Sequence, residues 1–420
     1  MMPQFTKEMK RDGWTIVIPN MSEIHFDIIK RIFDNYDYKV LLLENNDPTL
    51  IEEGLKYVHN DMCYPCLLVI GQMLDAIKRG LVDKDRCALA ISQTGGGCRA
   101  SNYYFLLLKA LKRAGLENIP VISFNLQGMN SNPGLKITKV MILQAFTALI
   151  YGDMLMMVSN QTRPYEVNKG DTDRLVRKWT DELGRRYAKN SGYFGRHMRE
   201  NLNKISDDFA AIEQKREPKV KVGVVGEIYM KYSRLGNNNL KDFLESQDCE
   251  VMLPPMLGFV FYGFTNGIHD AEFYGGRKKY SFIIKNIVMP YLEKFERWMI
   301  EAIERHGIFH RPATFKELEQ YGRSMISPGC KMGEGWLLTA EMVELVEKGY
   351  GNIVCTQPFG CLPNHICGKG MIRPIKEKYP DSNIVPIDYD PSATKVNQEN
   401  RIKLMLSIAR ENLEKEQKVK

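Results

Sequence analysis

The sequence has no uncharged apolar run as long as a membrane-spanning helix requires. The longest uncharged stretch of its most apolar region runs from Val140 to Gly152 and is closed by Asp153, short of the roughly 18 residues that a membrane-spanning helix needs. The first residues carry charges of both signs and no apolar segment, so they predict neither a signal peptide nor a transit peptide. We therefore expect a cytoplasmic protein with no membrane passage.

Charge of one sign is not concentrated anywhere in the chain. There are 58 Lys and Arg residues against 51 Asp and Glu residues, a formal net charge of +7. Proteins that bind nucleic acids usually carry a basic stripe with exposed aromatic residues, and no such stripe can be picked out here. The charge pattern indicates a solvated surface and no nucleic-acid partner.

Nucleotide-binding motifs are also missing. The glycine-rich turn TGGGCRAS has neither the Lys-Ser/Thr ending of a P-loop nor the G-x-G-x-x-G spacing of a dinucleotide site. A phosphate is the obvious rival occupant of such a turn, but we do not expect ATP to bind. Gly95, Gly96 and Gly97 allow the backbone to curl closely around a different, bulky cofactor.

What the chain does have is α/β patterning over 420 residues. Short apolar strands alternate with amphipathic segments, which predicts two Rossmann-like parallel-sheet domains with helical connecting segments. The charged, proline-containing segment EQKREPK marks a boundary. We predict a first α/β domain at residues 1–138, a helical connection at 139–217, and a second α/β domain at 218–420 with a helical insertion around 277–320.

The two predicted domains look like copies of one unit. In each, one cysteine precedes an apolar helix pattern and another follows a sheet strand: Cys63 and Cys98 in the first, Cys330 and Cys361 in the second. Ligands of open parallel sheets collect at the carboxyl ends of the strands. The pattern therefore predicts a pseudo-repeat whose cysteines lie at that edge.

In a reducing compartment we do not expect the nine cysteines to form disulfides. Cys87 and Cys249 begin apolar strands and are interpreted as buried, inert thiols. A structural zinc site is one alternative for the others, but zinc ligands usually come in pairs from short knuckles. Dispersal over two domains favours an iron–sulfur cluster held in a cleft. Seven cysteines lie in suitable segments: Cys63, Cys66, Cys98, Cys330, Cys355, Cys361 and Cys367.

Six longer segments, distributed over nearly the whole chain, together resemble a known protein family. They are DMCYP, QTGGGCRASNYYF, NQTRPYEVNKGDTDRLV, SPGCKMGEGWLLTAEM, NIVCTQPFGCLPNHICGKGMI and IVPIDYDPSATKVNQENRIKLML. Together they resemble the double-cubane cluster proteins, within the family of 2-hydroxyacyl-CoA dehydratase components and activase-related proteins. The resemblance implies a homodimer that holds an [Fe8S9] cluster, in which two [4Fe-4S] cubanes share a bridging sulfide. It also implies a separate iron–sulfur ATPase that delivers low-potential electrons, and a small-molecule substrate that is reduced anaerobically.

Under that resemblance each cubane needs three protein thiolates. The sixth ligand is left open between Cys66, which the pseudo-repeat favours, and Cys367. Some relatives with a single cubane lack a cysteine at the place of Cys330, so its presence favours the double cluster. The other five ligands come from both halves of the chain: Cys63, Cys98, Cys330, Cys355 and Cys361.

The sequence also offers two further candidate functional residues and two alternative functions. His365 and Arg99 each lie close in sequence to a proposed ligand and are candidates for proton delivery or substrate orientation, with a structural polar contact as the alternative. The whole chain could instead be a 2-hydroxyacyl-CoA dehydratase subunit with a single [4Fe-4S] cluster. A zinc-stabilised scaffold without catalysis is the second alternative.

Overall fold

Two four-stranded sheets, both entirely parallel, form the framework of the computed structural model, which describes residues 3–94, 97–124 and 132–419. The strand order is β2-β1-β3-β4 in the first sheet and β6-β5-β7-β8 in the second. This confirms the predicted α/β class with two Rossmann-like sheets, and the shared strand order is that of a pseudo-repeat. The strands are β1 (Thr15–Pro19), β2 (Lys39–Leu43), β3 (Cys87–Ser92), β4 (Val121–Phe124), β5 (Val220–Gly226), β6 (Cys249–Met252), β7 (Asn352–Pro358) and β8 (Asn383–Tyr389).

Helices connect the strands and fill the segment between the sheets. In the first part of the chain they are α1 (Lys7–Arg11), α2 (Glu23–Asp34), α3 (Thr49–Tyr57), α4 (Tyr64–Lys78) and α5 (Tyr103–Arg113). Between the sheets lie α6 (Lys139–Thr162), α7 (Asp171–Ala188) and α8 (Gly195–Ala210). The remainder are α9 (Ile228–Tyr232), α10 (Leu240–Ser246), α11 (Met256–Phe273), α12 (Lys278–Ile283), α13 (Met289–Glu304), α14 (Phe315–Arg323), α15 (Trp336–Glu347), α16 (Ile372–Lys378) and α17 (Lys395–Val419).

Helices α6, α7 and α8 lie within the predicted helical connection, and α12 and α13 lie within the predicted insertion. The domain boundaries at residues 138 and 217 stay predictions. The described residues also form five short turns. Those at Arg99–Asn102, Arg163–Tyr165 and Lys369–Met371 are 3-10 turns, and those at Ile284–Val288 and Asn364–Gly368 are π turns.

The central strands are mostly apolar, as expected where helices cover both faces of each sheet. Ala90 of β3 pairs with Ile122 of β4, and Val224 of β5 pairs with Val354 of β7. Cys87 and Cys249 begin β3 and β6 and have no exposed surface. This confirms the sequence interpretation of those two thiols as buried strand residues.

Helix α6 is, among the described residues, the one segment long and apolar enough to cross a membrane by length and composition. Its apolar window is nevertheless 67% buried inside the protein. Tyr151, Met154 and Leu155 have no exposed surface, and burying each such side chain stabilises the fold by about 1.5–3 kcal/mol. Most of this apolar window therefore packs inside the protein.

A buried carboxylate in α6 joins helices from both parts of the chain. Asp153 accepts hydrogen bonds from the backbone N–H groups of Met256 (2.7 Å) and Leu257 (2.8 Å), at the start of α11. Its Oδ1 also lies 2.9 Å from Nε2 of His25 in α2. Neither the Asp153 nor the His25 side chain is exposed. Because α2 packs with the first sheet and α11 follows β6, this network fixes the two sheets relative to each other.

Replacing Asp153 by asparagine tests that role. The amide has one acceptor oxygen where the carboxylate has two, so a buried N–H group loses its partner. We expect the free energy of unfolding, measured by urea denaturation, to fall by about 3 kcal/mol. The control is Asp34→Asn, which removes a half-exposed ion pair with Lys30 and should cost less than about 1 kcal/mol. Equal losses in the two variants would contradict the role of Asp153.

Candidate metal centre

Three of the cysteines predicted as cluster ligands lie at the carboxyl edges of the two sheets. Cys98 follows β3 and precedes the 3-10 turn that leads into α5. Cys361 follows β7, and Cys63 occupies the N-cap position of α4. In a parallel sheet the loops after the strands share one edge, and helix starts there present free N–H groups. The fold therefore places these thiols where ligands of such sheets bind.

The two halves of the chain meet at this edge through their backbones. The N–H of Tyr64 donates to the carbonyl of Phe359 at 3.0 Å. Gly360 has a φ of 74°, a left-handed conformation that favours glycine. A Cβ at Gly360 would lie 3.0 Å from the Cα of Cys63. The turn after β7 thus packs directly on the start of α4 and brings Cys361 towards Cys63.

Cys63 interacts electrostatically with Cys98 and with Cys361 in the region between the start of α4 and the turn after β7, here called the cleft. Burial raises the pKa of Cys63 to about 11, and the negative charges of Glu227 and Cys98 add to this effect. Burial also raises the pKa of Cys361, with further contributions from Glu334, Glu227 and Cys63. Cys63 and Cys361 are buried and Cys98 is half-buried. The thiols therefore form one group beside two acidic residues.

Side chains near the start of α5 tie Cys98 to Cys63. The Tyr103 hydroxyl lies 2.8 Å from the Cys63 Sγ. Arg99, predicted as a candidate for proton delivery or substrate orientation, is exposed and its guanidinium donates to the carbonyl of Asp61. That contact joins the turn after β3 to the loop before α4. It is a structural polar contact, which was the alternative role for Arg99.

A second pair of thiols lies near one of the same acids. Cys330 is exposed in the loop before α15, and Cys367 is 4% exposed in the π turn Asn364–Gly368. Burial raises the pKa of Cys367 to about 11, and the charges of Cys330 and Glu334 add to it. The Thr339 hydroxyl fixes this turn on α15 by donating to the Cys367 carbonyl at 2.6 Å. Glu334 is therefore close to both thiol groups.

The two remaining predicted ligands lie inside regular secondary structure. Cys355 is within β7 and has no exposed surface; burial raises its pKa to about 12. Cys66 is in the first turn of α4, also without exposed surface, and burial followed by the charge of Cys63 raises its pKa. Cys66 thus belongs to the Cys63 side of the cleft, whereas Cys367 belongs to the Cys330 side.

The predicted glycine turn is described only in part, because Gly95 and Gly96 lie outside the described residues. A Cβ at Gly97 would lie 2.7 Å from the Sδ of Met332, so a side chain from the second half of the chain covers this turn. His365 is exposed, and its backbone N–H donates to the Cys361 carbonyl at 3.1 Å. It therefore lies at the rim of the cleft.

The donor set of the cleft is rich in sulfur, since all nine cysteines are free thiols. Within residues 3–94, 97–124 and 132–419, no three His, Cys, Asp or Glu side chains converge as ligands of a single metal ion. A polynuclear cluster makes a different demand, because its thiolates bind different irons. Buried thiols around a shared cleft are soft ligands that fit an iron–sulfur cluster.

Sequence reasoning missed two acids in the cleft. Glu227 directly follows β5 and accepts the N–H of Met230 at 3.0 Å, and Glu334 accepts the N–H of Ile228 at 2.9 Å. Burial, together with the charge of Glu334, raises the pKa of Glu227 to about 8, and burial raises that of Glu334. The place of Glu227 at a strand end was a usable signal, whereas no pattern marks Glu334.

Comparison with known proteins adds no identification. No family model matches this chain, and no curated protein matches it significantly. The function of the cleft therefore has to be inferred from its own residues.

Thiol reactivity should follow burial in the metal-free protein at neutral pH. We expect iodoacetamide to modify Cys330 first, because it is exposed. Cys63 and Cys367 should react slowly, since their raised pKa keeps them protonated and the thiolate is the nucleophile. Mass spectrometry of peptides from timed samples measures the rates, and a urea-unfolded sample in which all cysteines react alike is the control. Modification of Cys355 as fast as Cys330 would contradict the structure.

Proposed function

We propose that this protein is the substrate-reducing component of an ATP-dependent iron–sulfur reductase system. It would hold an [Fe8S9] double-cubane cluster, receive low-potential electrons from a separate ATP-hydrolysing iron–sulfur reductase, and reduce a small molecule. The observation that carries the proposal is the contact between the two halves at Gly360, which brings thiols of both halves, among them the buried Cys63 and Cys361, to one edge of the sheets. The resemblance of the cysteine-containing segments to double-cubane cluster proteins gives the cluster type.

The thiol positions support a particular set of six ligands. Cys63, Cys98 and Cys361 form the group that would bind one cubane. Cys330 lies beside Cys367, which supports Cys367 over Cys66 as the sixth ligand. Cys355 would complete the second set, and its thiol lies 3.5 Å from the position of a Cβ on Gly368, next to Cys367. This is an asymmetric scheme, in contrast to the pseudo-repeat, which favours Cys66.

The cluster would supply low-potential electrons at iron and sulfur, and the chain's own residues would control access and electrostatics. Burial of Cys63, Cys361 and Cys367 lowers the local dielectric constant around their sulfurs, whereas Cys330 is open to solvent. The Tyr103 hydroxyl would donate to the Cys63 sulfur when that sulfur is a thiolate, because a thiolate can only accept. Hydrogen bonds of this kind tune the potential of a bound cluster.

The proposal includes a cellular location and an oligomeric state. We propose a cytoplasmic homodimer that works anaerobically with its reductase. The alternatives, a dehydratase subunit with a single [4Fe-4S] cluster and a zinc scaffold, are separated from this proposal by metal content.

Metal analysis is the direct test of the cluster. Purified without oxygen, the protein should be brown and contain about eight irons per chain, as expected for two cubanes. About four irons would instead support the dehydratase alternative. Zinc in place of iron would overturn the proposal. Iron, sulfide and zinc analysis of the same sample distinguishes the three.

Single Cys→Ser variants then separate ligands from other cysteines, because a serine oxygen is a harder and poorer ligand for iron than a thiolate. Cys367→Ser should lose iron, whereas Cys66→Ser should keep its iron and its absorbance spectrum. Cys87→Ser and Cys249→Ser are matched controls, since both thiols are buried at strand starts away from the cleft. The reverse result for Cys66 and Cys367 would restore the symmetric scheme.

Isolated from its partner, the chain should not bind ATP, because no segment has the P-loop pattern. Isothermal titration calorimetry of the anaerobic protein with Mg-ATP should show no heat of binding. Substrate reduction should appear only when the reductase and ATP are both added. ATP binding by this chain alone would contradict the proposed division of labour.

A further inference from the structure

A row of buried ionisable side chains leads from the thiol cleft into the second half of the chain. Glu227 is partly exposed at the cleft, and each of the others is at most 8% exposed. Among the described residues, Glu341 is the one carboxylate of the row with a cation at ion-pair distance. The members of the row are Glu227, Glu334, Lys231, Glu341, Glu344 and Glu296.

The stability of the fold does not call for acids at these positions. A glutamine carbonyl could accept a backbone hydrogen bond without the cost of burying a charge. What a carboxyl group adds to an amide is a proton that can leave and return. All four carboxylates of the row other than Glu341 accept a backbone N–H. The donors are Met230 for Glu227 at 3.0 Å, Ile228 for Glu334 at 2.9 Å, Ala313 for Glu344 at 2.6 Å and Phe315 for Glu296 at 2.8 Å.

The cleft end of the row includes a buried hydroxyl group. Tyr262 is 2% exposed. Its hydroxyl lies 2.7 Å from the position of a Cβ on Gly335, next to Glu334. Burial, the charge of Glu334 and, more weakly, those of Cys367 and Cys98 raise its pKa, which a hydrogen bond with Asn266 opposes. Tyr262 therefore lies beside the acid at the cleft end of the row.

Lys231 connects the cleft acids with the interior acids. It lies on α9, the short helix that Glu227 caps, and its Nζ is 2.7 and 2.9 Å from the two carboxylate oxygens of Glu341. Burial raises the pKa of Glu227, Glu334, Glu341 and Glu344, and the Lys231 ammonium opposes that rise in all four. One ammonium therefore interacts with acids on both sides of it.

A water-sized cavity continues the row towards the surface. Glu341 and Glu344 are three residues apart on α15 and so lie on one face of the helix. Together with Glu296 of α13 they line a cavity of about 20 Å³, which is enough for one water molecule. Burial raises the pKa of Glu344 to about 7 and that of Glu296 to about 8. Near neutral pH both groups can therefore gain and lose a proton, as relay groups must.

We propose that this row is a proton relay, which carries protons from the surface near α13 and α14 through Glu296, Glu344, Glu341 and Lys231 to Glu334 and Glu227 at the cleft. The inference rests on the proposed function, because only a reaction that consumes protons in the cleft needs such a supply.

The relay would supply the protons that the proposed reduction consumes. A two-electron reduction of a small molecule takes both electrons from the partner reductase and needs two protons. The O–H bond of a protonated Glu334 or Glu227 breaks, its proton binds the reduced substrate atom, and the electron pair of that bond stays on the carboxylate. The carboxylate is protonated again from the Lys231 side, and solvent replaces the proton at Glu296.

Deuterium exchange of the buried carboxyl groups tests the relay without relying on turnover. The anaerobically purified protein is mixed with heavy water, and the carbonyl stretching bands of protonated carboxyl groups are followed by infrared spectroscopy. The band that is lost in Glu334→Gln identifies the cleft acid. Glu344→Gln should slow the isotopic shift of that band severalfold, because its amide still accepts the Ala313 N–H but cannot pass a proton on.

The matched control is Glu347→Gln, at an exposed position one helical turn further along α15, which should leave the exchange rate unchanged. Glu296→Gln should also slow exchange and serves if Glu344→Gln does not fold. With the reductase present, Glu334→Gln should lower turnover by about a hundredfold while electron delivery to the protein keeps its rate.

The outcomes separate the relay from the proposed function. Exchange at the wild-type rate in both Glu344→Gln and Glu296→Gln would overturn the relay, even in a protein that holds iron and reduces a substrate. Absence of iron would overturn the proposed function, and the exchange rates could still be read from the same protein.

Discussion

The mutual orientation of the two sheets depends on one buried carboxylate. Asp153 in the core helix α6 accepts two backbone N–H groups from the start of α11 and lies against the His25 ring of α2. A displacement of α11 relative to α2 would leave that charge without partners in an apolar interior, which is a large cost. Because the thiols of the cleft come from both halves of the chain, the geometry of the cleft depends on this contact as well as on the one between Gly360 and Cys63.

The sequence was sufficient to predict the sheets and the edge at which ligands collect. Strands such as CALAIS and VKVGVVG are apolar at successive positions because both of their faces are covered, and loops after parallel strands share an edge. Cys98 and Cys361 could therefore be assigned to equivalent places. Which thiols would face one another could not be predicted, because this depends on the left-handed turn at Gly360 and on its contact with Cys63.

Other features of the cleft escaped prediction for physical reasons. Cys355 and Cys361 look alike in the segment CTQPFGCLPNHIC, but β7 continues to Pro358, so only the second of them lies in a loop. Glu227 and Glu334 are distant in sequence, and what brings them together is a hydrogen bond from Ile228 to Glu334. Such a contact leaves no periodic pattern in the sequence.

Gly360 also limits how a protein of this kind can diversify. At Gly360 the backbones of the two halves are in contact, so a side chain introduced there would push one half away and separate the thiols. Changes that adapt the cleft to new substrates are therefore expected at residues that border it without holding it together, such as Met332 and His365. The contact that keeps the cleft closed and the groups that could set its reactivity are different residues, which allows the second set to vary while the first stays fixed.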